Sequence, residues 1–228
     1  MLLHLKSILT ADEVRQARAV LDDAQAWVDG RSSAGAQAMT QKHNWQLRQD
    51  SDVSHTLQAR VLNALRRDAL FFSAALPRKI FNPLFNRYDP QASHYGAHVD
   101  GAVLHSQATQ EWVRTDVSCT LFLSDPDEYE GGELRVEDTY GSRGVKLPAG
   151  DAVLYPGTSV HQVTPVTKGA RIASFFWIES MVRSDEQRRL LFDLDMNLLK
   201  LRQQHGETEE TIALAGTYHN LLRMWADT

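Results

Sequence analysis

Residues 80–181 constrain the fold most strongly, because this stretch contains short strand-like runs and no helical pattern. Glycine, proline and aspartate residues separate the runs and favour turns between them. About eight strands without intervening helices are typical of an antiparallel double-sheet barrel, or jelly roll. We therefore expect strands at 81–88, 93–99, 116–123, 132–137, 144–147, 152–155, 160–166 and 171–179.

Helical patterns lie on both sides of the predicted barrel. Residues 2–5 form a short strand candidate, and Thr10 begins a capping-box pattern before an apolar-periodic run to about Trp27. Residues 51–75 repeat the helical spacing. After the barrel, Ser184 begins a second capping pattern. Two helices are expected to follow it, at 188–204 and 208–225.

These patterns predict an α+β fold with three parts. An N-terminal strand and helices, residues 1–79, pack on a double-stranded β-helix (jelly-roll) core, residues 80–181, and residues 182–228 form a C-terminal helical extension. The two C-terminal helices either pack on the outside of the barrel or form a homo-oligomer contact. The sequence does not decide between these two arrangements.

Two stretches are expected to be loops at the rim of a substrate site. Residues 30–45 begin with turn-forming residues, and we expect a solvent-facing loop at His43 and Trp45. Residues 105–112 begin with a polar run at His105, for which a loop is also predicted. Long irregular segments in compact domains are often functional, and this is the reason for the rim prediction.

Composition excludes several classes of function. The chain has 228 residues and a formal net charge of -5, with lysine and arginine scattered along it, which argues against a nucleic-acid partner. No run of about 18 apolar residues is present, so no membrane partner is expected. The first residues lack a signal-peptide layout, and we expect a cytoplasmic location. The single cysteine, Cys119, lies in an apolar run and is expected to be a buried core residue.

A metal-binding pattern lies at the end of the second predicted strand. Side chains alternate between the faces of a strand, so His98 and Asp100 point to the same side. His161, at the start of a later strand, can supply a third ligand. Two histidines and one carboxylate form the facial triad of non-haem Fe(II) oxygenases. By itself, this spacing of two histidines and an aspartate is weak evidence for a metal site, and a fourth residue must support it independently.

Arg171 is the fourth element. A three-residue hairpin loop at 167–169, with Gly169 in the left-handed conformation, would pair Pro165 with Arg171. Pro165 has the strand parity of His161, so Arg171 is expected on the metal face, about 13 Å along the strand. A guanidinium there can bind a carboxylate through two parallel hydrogen bonds.

Five stretches together have the pattern of a known family: Phe-Asn-Arg-Tyr at 85–88, His-Tyr-Gly-Ala-His-Val-Asp at 94–100, Gly-Gly-Glu-Leu at 131–134, the run 155–161 and the run 169–177. Through these stretches the chain resembles the Fe(II)/2-oxoglutarate-dependent dioxygenases of the prolyl-4-hydroxylase type. More narrowly, it resembles the bacterial PKHD-type hydroxylases associated with iron uptake. The likeness runs over nearly the whole chain.

The resemblance implies that His98, Asp100 and His161 bind Fe(II), and that Arg171 binds the distal carboxylate of 2-oxoglutarate. Tyr88 matches a tyrosine that lines the co-substrate pocket. The reaction would consume O2 and hydroxylate a small-molecule or peptidyl substrate, with release of succinate and CO2. L-ascorbate, as in related hydroxylases, would restore oxidised iron.

Two positions depart from the family pattern. Phe122 stands where some relatives carry a tyrosine that assists the arginine, which leaves Thr120 as a hydroxyl donor on the same strand. Ser174 follows Arg171 by three residues, whereas some 2-oxoglutarate enzymes carry serine two residues after the arginine. Ser174 is therefore expected to face the other way.

Alternative functions remain open at this level. A double-sheet barrel hosts many functions, and a non-catalytic cupin-like iron-binding or sensing module is the main alternative. Such a sensor has no need of the carboxylate clamp that Arg171 would form. A cupin isomerase or a dioxygenase without 2-oxoglutarate is disfavoured by Asp100, and a nucleic-acid demethylase by the missing basic stripe.

Overall fold

The computed structural model describes residues 1–22, 25–33, 40–139 and 141–228, without the side chains of Ser32 and Ser33. Part of the predicted 30–45 loop, residues 34–39, lies outside these ranges. The described chain combines many antiparallel strands with helices at both ends, as expected for an α+β fold. Each of the eight expected strand runs contains or overlaps an observed strand.

The N-terminal helices begin at capping residues. Helix α1 (Ala11–Asp22) starts after Thr10, whose side chain accepts from the Glu13 N–H while Glu13 accepts from the Thr10 N–H. It ends before Trp27, which lies in strand β2 (Trp27–Asp29), so the predicted helix was too long. A 3₁₀ turn, Gly30–Ser33, follows that strand.

The single helix predicted at 51–75 is two helices, α2 (Asp52–Arg67) and α3 (Ala69–Ala75). Asp68 separates them because its backbone is extended while its carboxylate accepts from the Phe71 N–H at 2.6 Å. A short acidic side chain that caps a new helix competes with continuation of the old one.

Most strands belong to two sheets. The large sheet has the order β1-β14-β10-β17-β6-β4-β2, and β5 also pairs with β17. Its strands are β1 (Leu3–Leu5), β2 (Trp27–Asp29), β4 (Trp45–Leu47), β5 (Pro77–Ile80), β6 (Leu84–Tyr88), β10 (Val117–Phe122), β14 (Ala152–Pro156) and β17 (Arg171–Ser180). The smaller sheet has the order β13-β12-β15-β7-β3. Its strands are β3 (Lys42–His43), β7 (His94–His98), β12 (Leu134–Asp138), β13 (Gly141–Val145) and β15 (His161–Val163).

Two strand pairs stand apart from these sheets: β8 (Val103–Ser106) with β9 (Glu111–Arg114), and β11 (Tyr129–Gly131) with β16 (Val166–Gly169). The first pair corrects the loop predicted at 105–112 in part. Residues 107–110 form the turn between the two strands, whereas His105 lies in β8, with its ring 5.0 Å from the Trp112 ring. The second pair corrects the strand predicted at 160–166, which is divided between β15 and β16.

The segment from Lys42 to Leu47 closes one side of the barrel. Its first part, β3, pairs with β7 of the smaller sheet, and its second part, β4, pairs with β6 of the large sheet. His43 and Trp45 therefore lie in strands, and the solvent-facing loop predicted for them was wrong. Cross-sheet pairing satisfies the backbone groups of a segment whose composition alone favours a loop.

The predicted hairpin between 165 and 171 is absent from the described structure. Strand β16 pairs with β11, and β17 pairs instead with β10 and β6, so the chain changes sheet at Ala170. Gly169 has the expected positive φ of 71°, and a Cβ there would lie 2.0 Å from the Glu128 carbonyl oxygen. The turn residue was predicted correctly, whereas the pairing partner was not.

Two apolar cores lie on opposite faces of the large sheet. The larger core lies between this sheet and helices α1, α2 and α3, and it includes Cys119, which is 1% exposed as predicted. Burial raises the pKa of its thiol far above the ordinary value. The second core lies between the sheets and includes Tyr88 and Phe122.

The C-terminal extension consists of α4 (Asp185–His205) and α5 (Glu209–Trp225), which confirms both predicted helices. Ser184 caps α4 by accepting from the Gln187 N–H. Leu191 is buried against Leu76 and Val182 of the same chain, together with apolar residues of α5. The extension thus packs on the outside of its own chain.

None of the described helices combines the length and the apolar character that crossing a membrane requires.

Candidate metal and co-substrate site

The predicted triad comes together at one end of the smaller sheet. His98 ends β7, His161 begins β15, and the two residues are direct partners in the antiparallel pairing of these strands. Asp100 follows two residues later, with Oδ1 4.0 Å from His98 Nε2 and Oδ2 3.7 Å from His161 Nε2. One ligand atom from each residue lies within 4.8 Å of the other two. The three donors surround a space of the size that a metal ion occupies.

Hydrogen bonds orient all three side chains toward this space. His98 Nδ1 donates to the Gly96 carbonyl at 2.7 Å, and His161 Nδ1 donates to the Ser159 carbonyl at 3.1 Å. The lone pairs of both Nε2 atoms are therefore free to bind a metal. Ser118 Oγ donates to Asp100 Oδ2 at 2.8 Å.

Burial lowers the pKa of His98 to about 4, and the neighbouring His161 acts in the same direction. The His98 imidazole is therefore neutral at neutral pH, as metal ligation requires. The Tyr95 ring stacks on the His98 ring at 3.6 Å between centroids and limits its movement. Two imidazoles and a carboxylate match the donor set of a non-haem Fe(II) site, so the residues present fit the metal.

Arg171 is fully buried in the same barrel, at 1% exposure. Its Cα lies opposite that of Tyr88, and its guanidinium carbon lies 5.4 Å from the Tyr88 ring centroid and 5.1 Å from the Phe122 ring centroid. Its Nε and Nη1 have no hydrogen-bond partner among the described residues. A buried cation with unused donors is costly unless an anion completes it. The guanidinium thus fits the carboxylate of a bound co-substrate.

The two other predicted co-substrate residues also line the cavity. Tyr88 is 1% exposed, and burial raises the pKa of its hydroxyl, although the Arg171 charge and the Asn44 amide beside it act in the opposite direction. Thr120 is buried on β10 with its hydroxyl beside that of Tyr155. Ser174 is not part of the cavity lining, which agrees with its expected orientation away from Arg171.

Tyr129 is a neighbour of Arg171 that the sequence patterns did not reveal. Its hydroxyl lies beside the guanidinium, and the residue is 3% exposed. Burial raises the pKa of this hydroxyl, so Tyr129 is neutral. Strand β11 has only three residues, too few for a periodic signal, and an aromatic residue next to the Gly131-Gly132 turn is the one indication that the sequence carries.

Tyr129→Phe is expected to raise the KM for 2-oxoglutarate about fivefold with little change in kcat, because it removes the hydroxyl beside the Arg171 guanidinium. The hydroxyl is expected to orient the guanidinium and take no part in the oxidation. Steady-state kinetics with varied 2-oxoglutarate measures KM and kcat separately. Tyr218→Phe on α5 is the matched control. An equal fall in kcat and kcat/KM would show that Tyr129 has a different role.

The triad and Arg171 open into one cavity of about 790 Å³. Residues of both sheets line it, including Phe175 and Trp177 of β17. Lys42, at 7% exposure, also lines the cavity, and burial lowers its pKa to about 8. This volume is within the usual range of small-molecule sites and holds more than a five-carbon dicarboxylate.

The chain is similar to proteins of a known family. Residues 83–179 match the 2OG-Fe(II) oxygenase superfamily, and residues 185–227 match the PKHD-type hydroxylase C-terminal domain. A PKHD-type hydroxylase of Polaromonas sp. (strain JS666 / ATCC BAA-500) is 59% identical over 228 residues, with both chains covered completely. A second PKHD-type hydroxylase, of Verminephrobacter eiseniae (strain EF01-2), has the same identity and coverage.

Solved structures share the fold at low sequence identity. A Pseudomonas putida prolyl-4-hydroxylase is 21% identical with a TM-score of 0.53, covering 78% of this chain and 92% of its own. A Trichoplax adhaerens prolyl hydroxylase in complex with a hypoxia inducible factor peptide fragment is 15% identical with a TM-score of 0.56, covering 83% and 86%. The fold and the full-length identity together show that this chain is an enzyme of the 2OG-Fe(II) oxygenase superfamily and belongs to its PKHD-type hydroxylases.

Proposed function

We propose that the chain hydroxylates a small-molecule or peptidyl substrate, with His98, Asp100 and His161 binding Fe(II) and Arg171 binding the distal carboxylate of 2-oxoglutarate. Tyr88 and Thr120 line the co-substrate part of the cavity. The observation that carries the proposal is the buried guanidinium of Arg171, whose Nε and Nη1 lack partners in the described chain and which shares one cavity with the triad. A metal-binding module without a co-substrate has no use for this cation.

The protein residues bind the iron and the co-substrate, orient them and exclude water from the site. When bound, the iron would supply the O2-dependent oxidation in which 2-oxoglutarate leaves as succinate and CO2. The triad occupies one side of the metal space and leaves the cavity side open for small molecules. Arg171 orients the co-substrate through charge-assisted hydrogen bonds that are strengthened by burial.

The test is a spectroscopic titration without oxygen. Adding Fe(II) and 2-oxoglutarate to the protein should produce a visible metal-to-ligand charge-transfer band, because the keto acid would bind iron held by His98, Asp100 and His161. Succinate in place of 2-oxoglutarate is the control and should give no band. Folded, metal-loaded protein that shows no band with 2-oxoglutarate would overturn the co-substrate assignment.

Several finer expectations belong to the same proposal. L-ascorbate should prolong turnover by restoring oxidised iron, and the enzyme should act in the cytoplasm in a process linked to iron uptake or homeostasis. The division of the chain into three parts, at residues 79/80 and 181/182, also stays a prediction. So does a homo-oligomer contact through α4 and α5. The alternative of a non-catalytic cupin-like iron sensor is weaker, because it assigns no role to Arg171.

A further inference from the structure

Ser118 connects the two sheets at the metal space. It lies on β10, between β14 and β17 of the large sheet, with its Cα opposite those of Tyr155 and Trp177. The residue is 1% exposed and lines the cavity. Its hydroxyl donates at 2.8 Å to Oδ2 of Asp100, which follows β7 of the smaller sheet. A hydroxyl held by a central strand therefore fixes a carboxylate that lies beyond the end of another strand.

Asp100 differs from the two histidines in how its side chain is oriented. His98 and His161 each donate to a backbone carbonyl, which no side-chain substitution removes. The Asp100 carboxylate is oriented by a side chain, because among the described residues the Ser118 hydroxyl is its hydrogen-bond donor. The Asp100 side chain is only 10% exposed, so water has little access to it. Ser118 thus decides which way the carboxylate is turned.

Both oxygens of Asp100 can reach the metal space. Oδ1 lies 4.0 Å from His98 Nε2, and Oδ2 lies 3.7 Å from His161 Nε2, so the carboxylate presents one oxygen to each imidazole. Carboxylates bind metal ions through one oxygen or through both. A second Asp100 oxygen on the metal would occupy one of the positions that a facial triad leaves open. The number of Asp100 oxygens that bind therefore determines the space left for other ligands.

The hydrogen bond makes the two oxygens unequal. The Ser118 proton draws electron density from Oδ2, and hydrogen bonds to charged acceptors are among the strong ones. A metal bound through Oδ2 as well would compete with this bond, whereas Oδ1 is free of such competition from the described residues. We propose that Ser118 is a positioning residue that keeps Asp100 bound to the metal through Oδ1 alone, and so keeps a position open for 2-oxoglutarate. This role rests on the proposed function, which assigns the metal and the co-substrate.

Infrared difference spectroscopy of the full-length protein, with and without Zn(II), measures how the carboxylate binds. Carboxylates that bind a metal through one oxygen show a wider separation between the antisymmetric and symmetric stretching bands than carboxylates that bind through both. The Asp100 bands are assigned by their loss in Asp100→Asn. Ser118→Ala should narrow the separation, because Oδ2 is then released to the metal. Ser118→Thr, which keeps the hydroxyl, should retain the wild-type separation.

The affinity for 2-oxoglutarate, followed through the charge-transfer band of the anaerobic Fe(II) protein, is the second readout. Ser118→Ala should raise the dissociation constant at least about fivefold, the effect of roughly one hydrogen bond, because Asp100 then competes for a position of the keto acid. Ser180→Ala is the matched control and should change neither readout. Ser180 is also fully buried and hydrogen-bonded, but it lies at the end of β17, outside the cavity lining. If Ser118→Ala does not fold, Ser118→Cys replaces it, because a thiol is only a weak donor.

Three outcomes would overturn the proposal. Two-oxygen bands in the wild type would show that the hydroxyl does not restrict Asp100. Weaker Zn(II) binding by Ser118→Ala with one-oxygen bands retained would show that Ser118 only supports the ligand. Narrowed bands with an unchanged affinity for 2-oxoglutarate would show that no co-substrate position is protected. The infrared measurement contains no 2-oxoglutarate, so it stays valid if the wild type gives no charge-transfer band, the outcome that refutes the proposed function.

Discussion

Asp100→Ala should lower succinate formation by more than about 100-fold. Mutation of a residue that only supports a metal ligand lowers activity by up to about 100-fold, and loss of a ligand itself should cost more. Asp100 contributes the one carboxylate of the triad, and the two imidazoles alone leave the cation weakly held and its charge uncompensated. The fold should persist, because among the described residues this carboxylate accepts a single hydrogen bond, from Ser118 Oγ. Its loss is worth about 1 kcal/mol.

Succinate assays with purified Asp100→Ala and thermal unfolding of the same sample measure both parts of this prediction. Asp127→Ala, which removes an exposed carboxylate outside the cavity, is the matched control and should retain wild-type turnover. Turnover by folded Asp100→Ala within tenfold of the wild type would mean that the ligand assignment is wrong.

Arg171→Met should weaken 2-oxoglutarate binding by about 100-fold or more, since two charge-assisted hydrogen bonds of roughly 1.5–3 kcal/mol each are lost. The ligand-free protein should keep or gain stability at the same time, because methionine removes a buried cation whose Nε and Nη1 lack partners in the described part of the chain. This opposite response of affinity and stability is the signature of a ligand-binding arginine.

Anaerobic titration with the charge-transfer band as the signal, followed by thermal unfolding without ligands, measures the two responses. Arg171→Lys should recover only part of the affinity, because an ammonium group lacks the planar fork that binds a carboxylate in parallel. If Arg171→Met were strongly destabilised and bound 2-oxoglutarate normally, the guanidinium would be a structural residue.

The position of the proposed metal ligands could be predicted because a strand has a period of two residues. His98 and Asp100 share a face through that period alone, and the observed ends of β7 and β15 bring His161 to them. Arg171 was expected on the correct face for the wrong reason, because the hairpin with Pro165 does not form and the pairing with β6 and β10 orients it instead.

Loops and short strands were predicted least well. The short strands at 42–43, 45–47, 103–106 and 111–114 contain turn-forming or polar residues, yet they form because neighbouring backbone groups need partners. The predicted loop remains at 107–110. The helix break at Asp68 was missed for a related reason. A capping side chain inside a helical pattern is recognised only when its own hydrogen bond is seen.

Local patterns by themselves determined the strand-rich core, the flanking helices, the shared face of His98 and Asp100 and the burial of Cys119. The tertiary structure alone decided which distant strands pair. That pairing places Tyr129 beside Arg171 and brings Arg171 and the triad to one cavity. The physical reason is that side-chain periodicity depends on neighbours along the chain, whereas sheet order depends on the free energy of packing the whole barrel.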